Sequence, residues 1–532
     1  MKFNLERAYV PLAYLAIALL LFWKVSINPA GAATGTDPYL EMFYLWSAPH
    51  ALLSPGQPAM FYPIGAAMPA YATYPLAGIL SYPLQLVGIA LAYNVIFILG
   101  YAAAGLFMYL LMLHLTKSKA VAFAAGIAFA FNPLSISQGS MSLVSMAFMP
   151  LLALSLIMLV RERKAKFLVA AIATVLFIIF FGSVASGLVQ MLLSFVTGSA
   201  VGVALSRIDA PKRSERLNYA SAAVVILVLM YCAYFALHEN VVPASAPSPY
   251  LQLHSQDGNF SILFLPVLPD YNSSDPWRYQ KLEAYYAATS GKPTINGYAP
   301  QINQSQVLLL TSIPLSVEAN YLSLGQGFAY ASPITENYTN VTLLWLAADN
   351  VGVVSVVRSA YNYSQLQQLL SYMVSTFGTP IYQDNSTSMF STDGAVSAHA
   401  GKSIVAYPTG TWVPGYAIGC GSAQCPQGFA NTWWGGDDRG IALFAPQNVS
   451  KIRMSMTAFS SGKNTSVYIF ANDQQLTSFN IGTVAANYTF TVPVHAGYNY
   501  LIFAEEGVTN STVANLVSTD YGIRNATFKA AT

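Results

Sequence analysis

Charge is scarce in this chain. Asp, Glu, Lys and Arg make up 9% of its 532 residues, against about 25% in ordinary soluble proteins. From Met42 through Val160 there is no Asp or Glu at all. A gap of that length excludes an ordinary solvated surface over the first half of the chain. A large basic excess is missing as well. The net charge is +2, so nothing suggests a nucleic-acid partner. Cysteine is equally sparse. Three residues exclude a disulfide scaffold. Cys232 sits in an apolar run and reads as a buried thiol. Cys420 and Cys425 bracket the loop CGSAQC. With no nearby His they make a poor zinc cage, and outside the cell they would form a disulfide. No Walker A loop, GxGxxG, HExxH or GxSxG occurs, so no metal ligand set and no nucleophile elbow is proposed from sequence.

Long apolar runs fill the space that charge leaves. A helix crosses a bilayer in about 20 apolar residues because its backbone polar groups are bonded internally. Seven such helices are expected, at 8–24, 93–116, 119–136, 141–160, 166–182, 186–206 and 218–238. Basic residues sit at Lys2 and Arg7, at Lys117 and Lys119, in RERKAK (161–166) and in RIDAPKRSER (207–216). All four clusters share one side if the N-terminus is cytoplasmic. Residues 1–240 carry net +6 and the remainder net −4. The first helix reads as an uncleaved signal anchor. Segment 74–92 holds two prolines and reads as interfacial or re-entrant.

Asn-x-Ser/Thr sequons give an independent sidedness signal. Twelve occur, and every one lies beyond residue 255: Asn259, Asn272, Asn303, Asn337, Asn340, Asn362, Asn385, Asn448, Asn464, Asn487, Asn510 and Asn525. Glycans are attached outside the cytoplasm, so this half is expected there. Seven spans from a cytoplasmic N-terminus place it on the same side.

The expected architecture is therefore a membrane α-helical bundle over residues 1–240 with an external loop at 25–73, and a Pro/Ser-rich linker at 241–254. An extracytoplasmic α/β unit at 255–397 and a jelly-roll-like β-sandwich at 398–532 follow. VGVVSVV (351–357) reads as a buried strand, and SQLQQLLSYMVSTFG (364–378) as a helix ending in Gly. Short strands at 441–446, 451–459, 465–472, 475–482, 487–494 and 499–506, separated by turn residues, give the sandwich pattern. Trp412, Trp433 and Trp434 could stack on sugars or fill its core.

The external loop 25–73 is dense in aromatic residues and holds two acids, Asp37 and Glu41, in GTDPYLEMFYLW. On a helix starting near Pro38 they lie one turn apart. An Asp before Pro is also a plain helix cap, and both readings stand. Held above a bilayer, such a carboxylate can act as a general base or hold a divalent metal. Tyr39, Tyr44, Trp46 and Tyr62 pair an apolar face with a polar tip and suit a lipid or sugar ligand; His50 is a further candidate.

DPYLEMFYLW (37–46) followed by YPIGAAMP (62–69) resembles the GT-C superfamily of polytopic glycosyltransferases, oligosaccharyltransferases and protein O-mannosyltransferases among them. Residues 92–133, SGKPTINGYAP (290–300), ADNVGVVSVVRS (348–359) and GTPIYQDNSTSMFST (378–392) are similar to its YfhO-type branch. The resemblance implies transfer of a sugar from a polyprenyl- or dolichyl-phosphate donor to an acceptor on the extracytoplasmic face. It implies catalysis at Asp37, with Glu41 adjacent. A second acidic motif of many relatives has no counterpart in the later external turns at 132–141 and 181–187. TWWGGDD (432–438) reads as structural. The missing motif keeps a second expectation open, a non-catalytic glycosylated protein of an archaeal cell surface whose β domain binds glycans or proteins.

Overall fold

A computed structural model of the chain describes residues 5–35, 37–53, 60–62, 74–137, 141–181, 195–205, 213–238, 241–245, 248–256, 258, 260–267, 278–297, 313–323, 338–397, 405–409, 413–414, 432–434, 440–460, 464–472, 474–505 and 521–531. It divides into two compact units. One is Met1–Gln57 with Ala67–Ser248, and the other is Pro58–Ala66 with Pro249–Thr532.

The first unit is helical: α1 Leu5–Leu21, α2 Trp23–Ile27, α3 Pro38–Leu53, α4 Pro75–Gln85, α5 Ile89–Thr116, α6 Lys119–Ala130, α7 Pro133–Ser137, α8 Met141–Val144, α9 Met149–Glu162, α10 Ala165–Phe181, α11 Phe195–Leu205 and α12 Arg213–His238. Among the described residues two helices are long and apolar enough to cross a membrane, Ile89–Thr116 and Asn218–His238. Four shorter apolar helices accompany them. The face that α10 and α12 leave exposed is apolar: Leu168, Ile172, Leu176, Ile226, Leu227 and Met230. An apolar face of that extent suits lipid rather than water.

Several expected spans are cut differently. The first breaks at Phe22, between α1 and α2. The third ends at Ala130, because Pro133 has no N–H to continue the ladder and starts α7 instead. The fourth is α8, a 3₁₀ turn at Ser145–Phe148 and then α9, which Pro150 opens. In segment 74–92, α4 has 11 residues, about 16 Å, too short to span. α5 then begins at Ile89.

Small residues let these helices approach. A Cβ at Gly105 of α5 or Gly126 of α6 would collide with the Tyr14 ring of α1, whose hydroxyl donates to the Phe123 carbonyl at 3.0 Å. Phe22 packs edge-on against Phe97 and Tyr101 at 5.0 Å. Tyr14 thus meets the middle of α5 while Phe22 meets its beginning, so α1 and α5 run antiparallel. α5 stops at Lys117, in the left-handed region, and Ser118 caps α6 by accepting from Val121 N–H. At the opposite end of the unit a short ladder, β1 Ala32–Thr34 on β2 Val241–Pro243, joins the loop before α3 to the chain leaving α12. The expected linker 241–254 therefore contains a paired strand and, at Ser248–His254, helix α13.

The second unit starts with a four-stranded sheet of order β3-β4-β6-β5, from Ser261–Leu265, Val351–Val357, Thr387–Ser391 and Tyr382–Gln383. β3 and β4 are parallel and both are buried, as their continuous apolar sequence requires. The helix Tyr363–Phe377 opens on a capping box between Asn362 and Gln365 and stops at Gly378. Residues 58–66 belong here rather than to the helical unit. Phe61 N–H donates to Asn296 O at 3.0 Å and Tyr62 N–H to Thr294 O at 2.9 Å. The Phe61 ring occupies the space a side chain at Gly297 would need.

Two five-stranded sheets complete the unit, in orders β13-β12-β15-β10-β7 and β14-β11-β16-β9-β8. The six strands expected from sequence are β10 Gly440–Ala445, β11 Lys451–Ser460, β12 Thr465–Ala471, β13 Gln474–Ile481, β14 Ala486–Pro493 and β15 Gly497–Glu505. β7 Val405–Thr409, β8 Val413–Pro414, β9 Thr432–Trp434 and β16 Tyr521–Ala530 supply the rest. Met454, Met456, Ala458 and Val492 of one sheet share a buried cluster with Ile441, Val467, Ile469, Leu501 and Phe503 of the other. Trp433 and Trp434 lie in β9; Trp412 is outside the described residues.

Candidate active site

Gly35 has φ 128°, which L side chains rarely adopt, and it turns the chain from β1 into α3. Asn94, in the second turn of α5, fixes that turn from behind. Its amide donates to Pro29 O at 2.8 Å and Ala32 O at 2.7 Å. Asp37 then precedes Pro38, and its carbonyl accepts the Glu41 N–H at 3.0 Å. Asp37 is half-buried. Tyr39, also half-buried, donates from its hydroxyl to Pro243 O at 2.8 Å, across the β1–β2 ladder.

Glu41, one turn later, is 4% exposed. Its Oε2 lies 2.8 Å from the Tyr93 hydroxyl, and its Oε1 accepts the Met141 N–H at 3.0 Å and faces the Tyr74 hydroxyl at 3.5 Å. Burying a carboxylate is costly unless donors surround it, and these come from the cap residue before α4, from α5 and from the start of α8. The two acids are therefore not equivalent. Glu41 ties three elements together, while Asp37 stands nearer the surface at the head of α3.

The aromatic candidates separate in the same way. Tyr44 and Trp46 are both buried. Tyr44 packs against Tyr74 at 6.2 Å and Trp46 against Phe43 at 5.9 Å. His50 lies on α3, with its side chain outside the described residues. Tyr62 belongs to the second unit, where burial and then the Asp349 carboxylate raise its hydroxyl pKa. Among the described residues no group of three or more His, Cys, Asp and Glu could hold a metal ion. Cys420 and Cys425 lie outside the described residues, as do Asn259, Asn272, Asn303, Asn337 and Asn510; the side chains of Asn340 and Asn525 do too. Asn362, Asn385, Asn448, Asn464 and Asn487 are all exposed.

Sequence reasoning missed Tyr93 and Asn94. The polar pair Tyr93-Asn94 interrupting an apolar helix was the available signal. It also missed three buried carboxylates of the second unit. Among the described residues neither oxygen of Asp349 and not Glu318 Oε2 has a hydrogen-bond partner, while the Asn296 side chain partly offsets the burial of Glu283. Burial pushes Glu283 and Asp349 well above the usual carboxylate range and Glu318 up to about 7. The same unit holds a cleft of about 300 Å³ lined by Phe260, Tyr382, Gln252, Gln256, Ser391 and Asp393, among others.

No protein-family model matches the sequence, and no curated protein matches it. Two solved structures are similar, both cryo-EM structures of the mycobacterial arabinofuranosyltransferase AftD and one of them a mutant. Identity is 12% to each, with TM-scores of 0.44 and 0.42. The likeness covers 98% and 99% of this chain but 61% and 58% of theirs. The structural neighbours are thus an arabinofuranosyltransferase of which this chain spans about three fifths.

Proposed function

We propose that the chain is a membrane glycosyltransferase that moves a sugar from a polyprenyl-phosphate carrier to an acceptor hydroxyl on the extracytoplasmic face. The observation that carries this reading is the split acid pair. A buried, hydrogen-bonded Glu41 holds the head of α3 in place, with the half-buried Asp37 at the end of the bundle that carries the β1–β2 ladder. Lys117, Lys119 and the 161–166 cluster lie at the other end of α5, about 42 Å away. A cytoplasmic basic end, as the positive-inside rule has it, supports an extracytoplasmic Asp37.

In this reading Asp37 accepts the proton of the acceptor hydroxyl. The oxygen attacks the anomeric carbon, the bond from that carbon to the carrier phosphate oxygen breaks, and the polyprenyl phosphate leaves with the electron pair. The configuration inverts. Proteoliposomes holding the full chain, given a panel of polyprenyl-phosphate pentoses and hexoses with oligosaccharide acceptors, test it. Transfer that vanishes in Asp37→Asn supports the mechanism; transfer at the native rate in that variant removes it.

A second reading has its own observation. The 300 Å³ cleft of the outer unit combines two aromatic rings with amide and carboxylate side chains, the chemistry that binds sugar rings. On that reading the two-sheet unit is a β-sandwich, the bundle is an anchor and the outer unit captures glycans. Glycan binding that survives Asp37→Asn but fails in Tyr382→Ala, in a chain with no transfer activity, favours it.

A further inference from the structure

At the basic end of the first unit, α5, α9 and α10 leave a groove of about 570 Å³. Leu110, Leu113, Leu151, Leu154, Met158 and Phe167 wall it, and His114 and Lys117 sit at its mouth. Lys117 is exposed, in the left-handed cap of α5 with φ 59°. Lys166 Nζ lies 4.8 Å from the centre of the Phe167 ring, so a second ammonium stands beside the same opening. Lys119, Arg161, Arg163 and Lys164 flank it in sequence. The acid in these segments is Glu162, which Lys164 already pairs at 2.9 Å. The groove is thus an apolar slot with two ammonium groups, of Lys117 and Lys166, near one end.

We infer that this groove is a binding site for one anionic phospholipid of the adjoining leaflet, with an acyl chain between α5, α9 and α10 and its phosphate between Lys117 and Lys166. Zwitterionic lipid satisfies the apolar walls equally well but gains far less from the cations. Charge complementarity selects phosphatidylglycerol-type headgroups over phosphatidylcholine. The inference is independent of sugar transfer, since the groove lies at the opposite end of α5 from Asp37.

The test is native mass spectrometry of the detergent-solubilised full chain with phosphatidylglycerol or phosphatidylcholine added at equal concentration. Phosphatidylglycerol is expected to be retained as a one-lipid adduct at least ten-fold more than phosphatidylcholine. Lys117→Asn with Lys166→Gln, where Asn suits the left-handed cap, is expected to lower that retention by about 10- to 30-fold. Lys117→Arg restores it. Leu154→Trp, which fills the slot and leaves every charge, is expected to remove the adduct too. Helical content by circular dichroism checks that each variant is folded. Equal retention of the two lipids, undiminished retention in the double variant, or equal capture of free glycerol 3-phosphate overturns the inference.

Discussion

The Tyr93 hydroxyl lies 2.8 Å from Glu41 Oε2 and also 2.8 Å from the Thr34 carbonyl. One phenol has one proton and here faces two acceptors, so it cannot donate to both. Either Tyr93 donates to the carboxylate, or Glu41 carries a proton and donates to the phenol while the phenol donates to Thr34. Both arrangements hold α3, α5 and the β1 loop together. Tyr93→Phe removes the bridge and leaves buried acceptors short of a donor. The expected cost is about 1.5–3 kcal/mol, read as a lower thermal midpoint of the purified chain in detergent. An unchanged midpoint would mean the bridge contributes nothing.

Asp37 and Glu41 are expected to respond differently to loss of charge. Asp37→Asn keeps a good capping side chain, so stability should hold while any transfer activity drops by about 100- to 10,000-fold, the range of a general base. Glu41→Gln replaces one acceptor by an N–H₂ donor facing the Tyr93 hydroxyl or the Met141 N–H. With the N–H₂ toward Tyr93 the phenol donates to Thr34 and each partner stays satisfied, so stability is expected to change by under about 1 kcal/mol. Activity measured on the fraction still folded should fall less than in Asp37→Asn. The reverse ordering would make Glu41 the base.

The legible parts were those set by local rules. Asn362 with Gln365, and Gly378 at the far end, announce the helix Tyr363–Phe377 within one short stretch. The alternation in RMSMTAF matches Met454, Met456 and Ala458 buried in β11. The acid pair was found because acids are scarce around it. Its division of labour was not, because Glu41 takes its partners from positions 33, 52 and 100 residues away, which no periodicity connects. Membership of Phe61 and Tyr62 in the second unit rests on backbone hydrogen bonds to Asn296 and Thr294, and those carry no side-chain signature. The breaks at Phe22 and around Ser145 interrupt runs that are apolar throughout, so hydropathy alone reads through them.

Gly297 and Phe61 supply a test of that stitch. Phe61 is fully buried, and its ring stands where a Cβ on Gly297 would go. Gly297→Ala must displace the ring or the strand-like backbone it rests on, at about 1–3 kcal/mol. In a Phe61→Ala background the same substitution should cost under about 0.5 kcal/mol, because the obstruction is gone. Limited proteolysis of the second unit in the four proteins measures the coupling. Additive effects would show that Phe61 does not pack on Gly297.

The second unit should lose stability as pH rises. Glu318 has its folded pKa raised from 4.5 to about 7 by burial. Between these values the folded chain holds a proton that the unfolded chain has released. Stability therefore falls with increasing pH across the interval from about 4.5 to 7 and levels off above it. Glu283 and Asp349 are shifted in the same direction, chiefly by burial, so their contribution has the same sign. Glu318→Gln supplies a permanently neutral side chain of the same shape. It should match the parent near pH 4.5 and exceed it at pH 8, flattening the part of the profile below pH 7. A thermal midpoint of the second unit that rises over this interval in the parent, or an unaltered profile in Glu318→Gln, would mean that Glu318 is ionised in the folded chain and has a donor beside it.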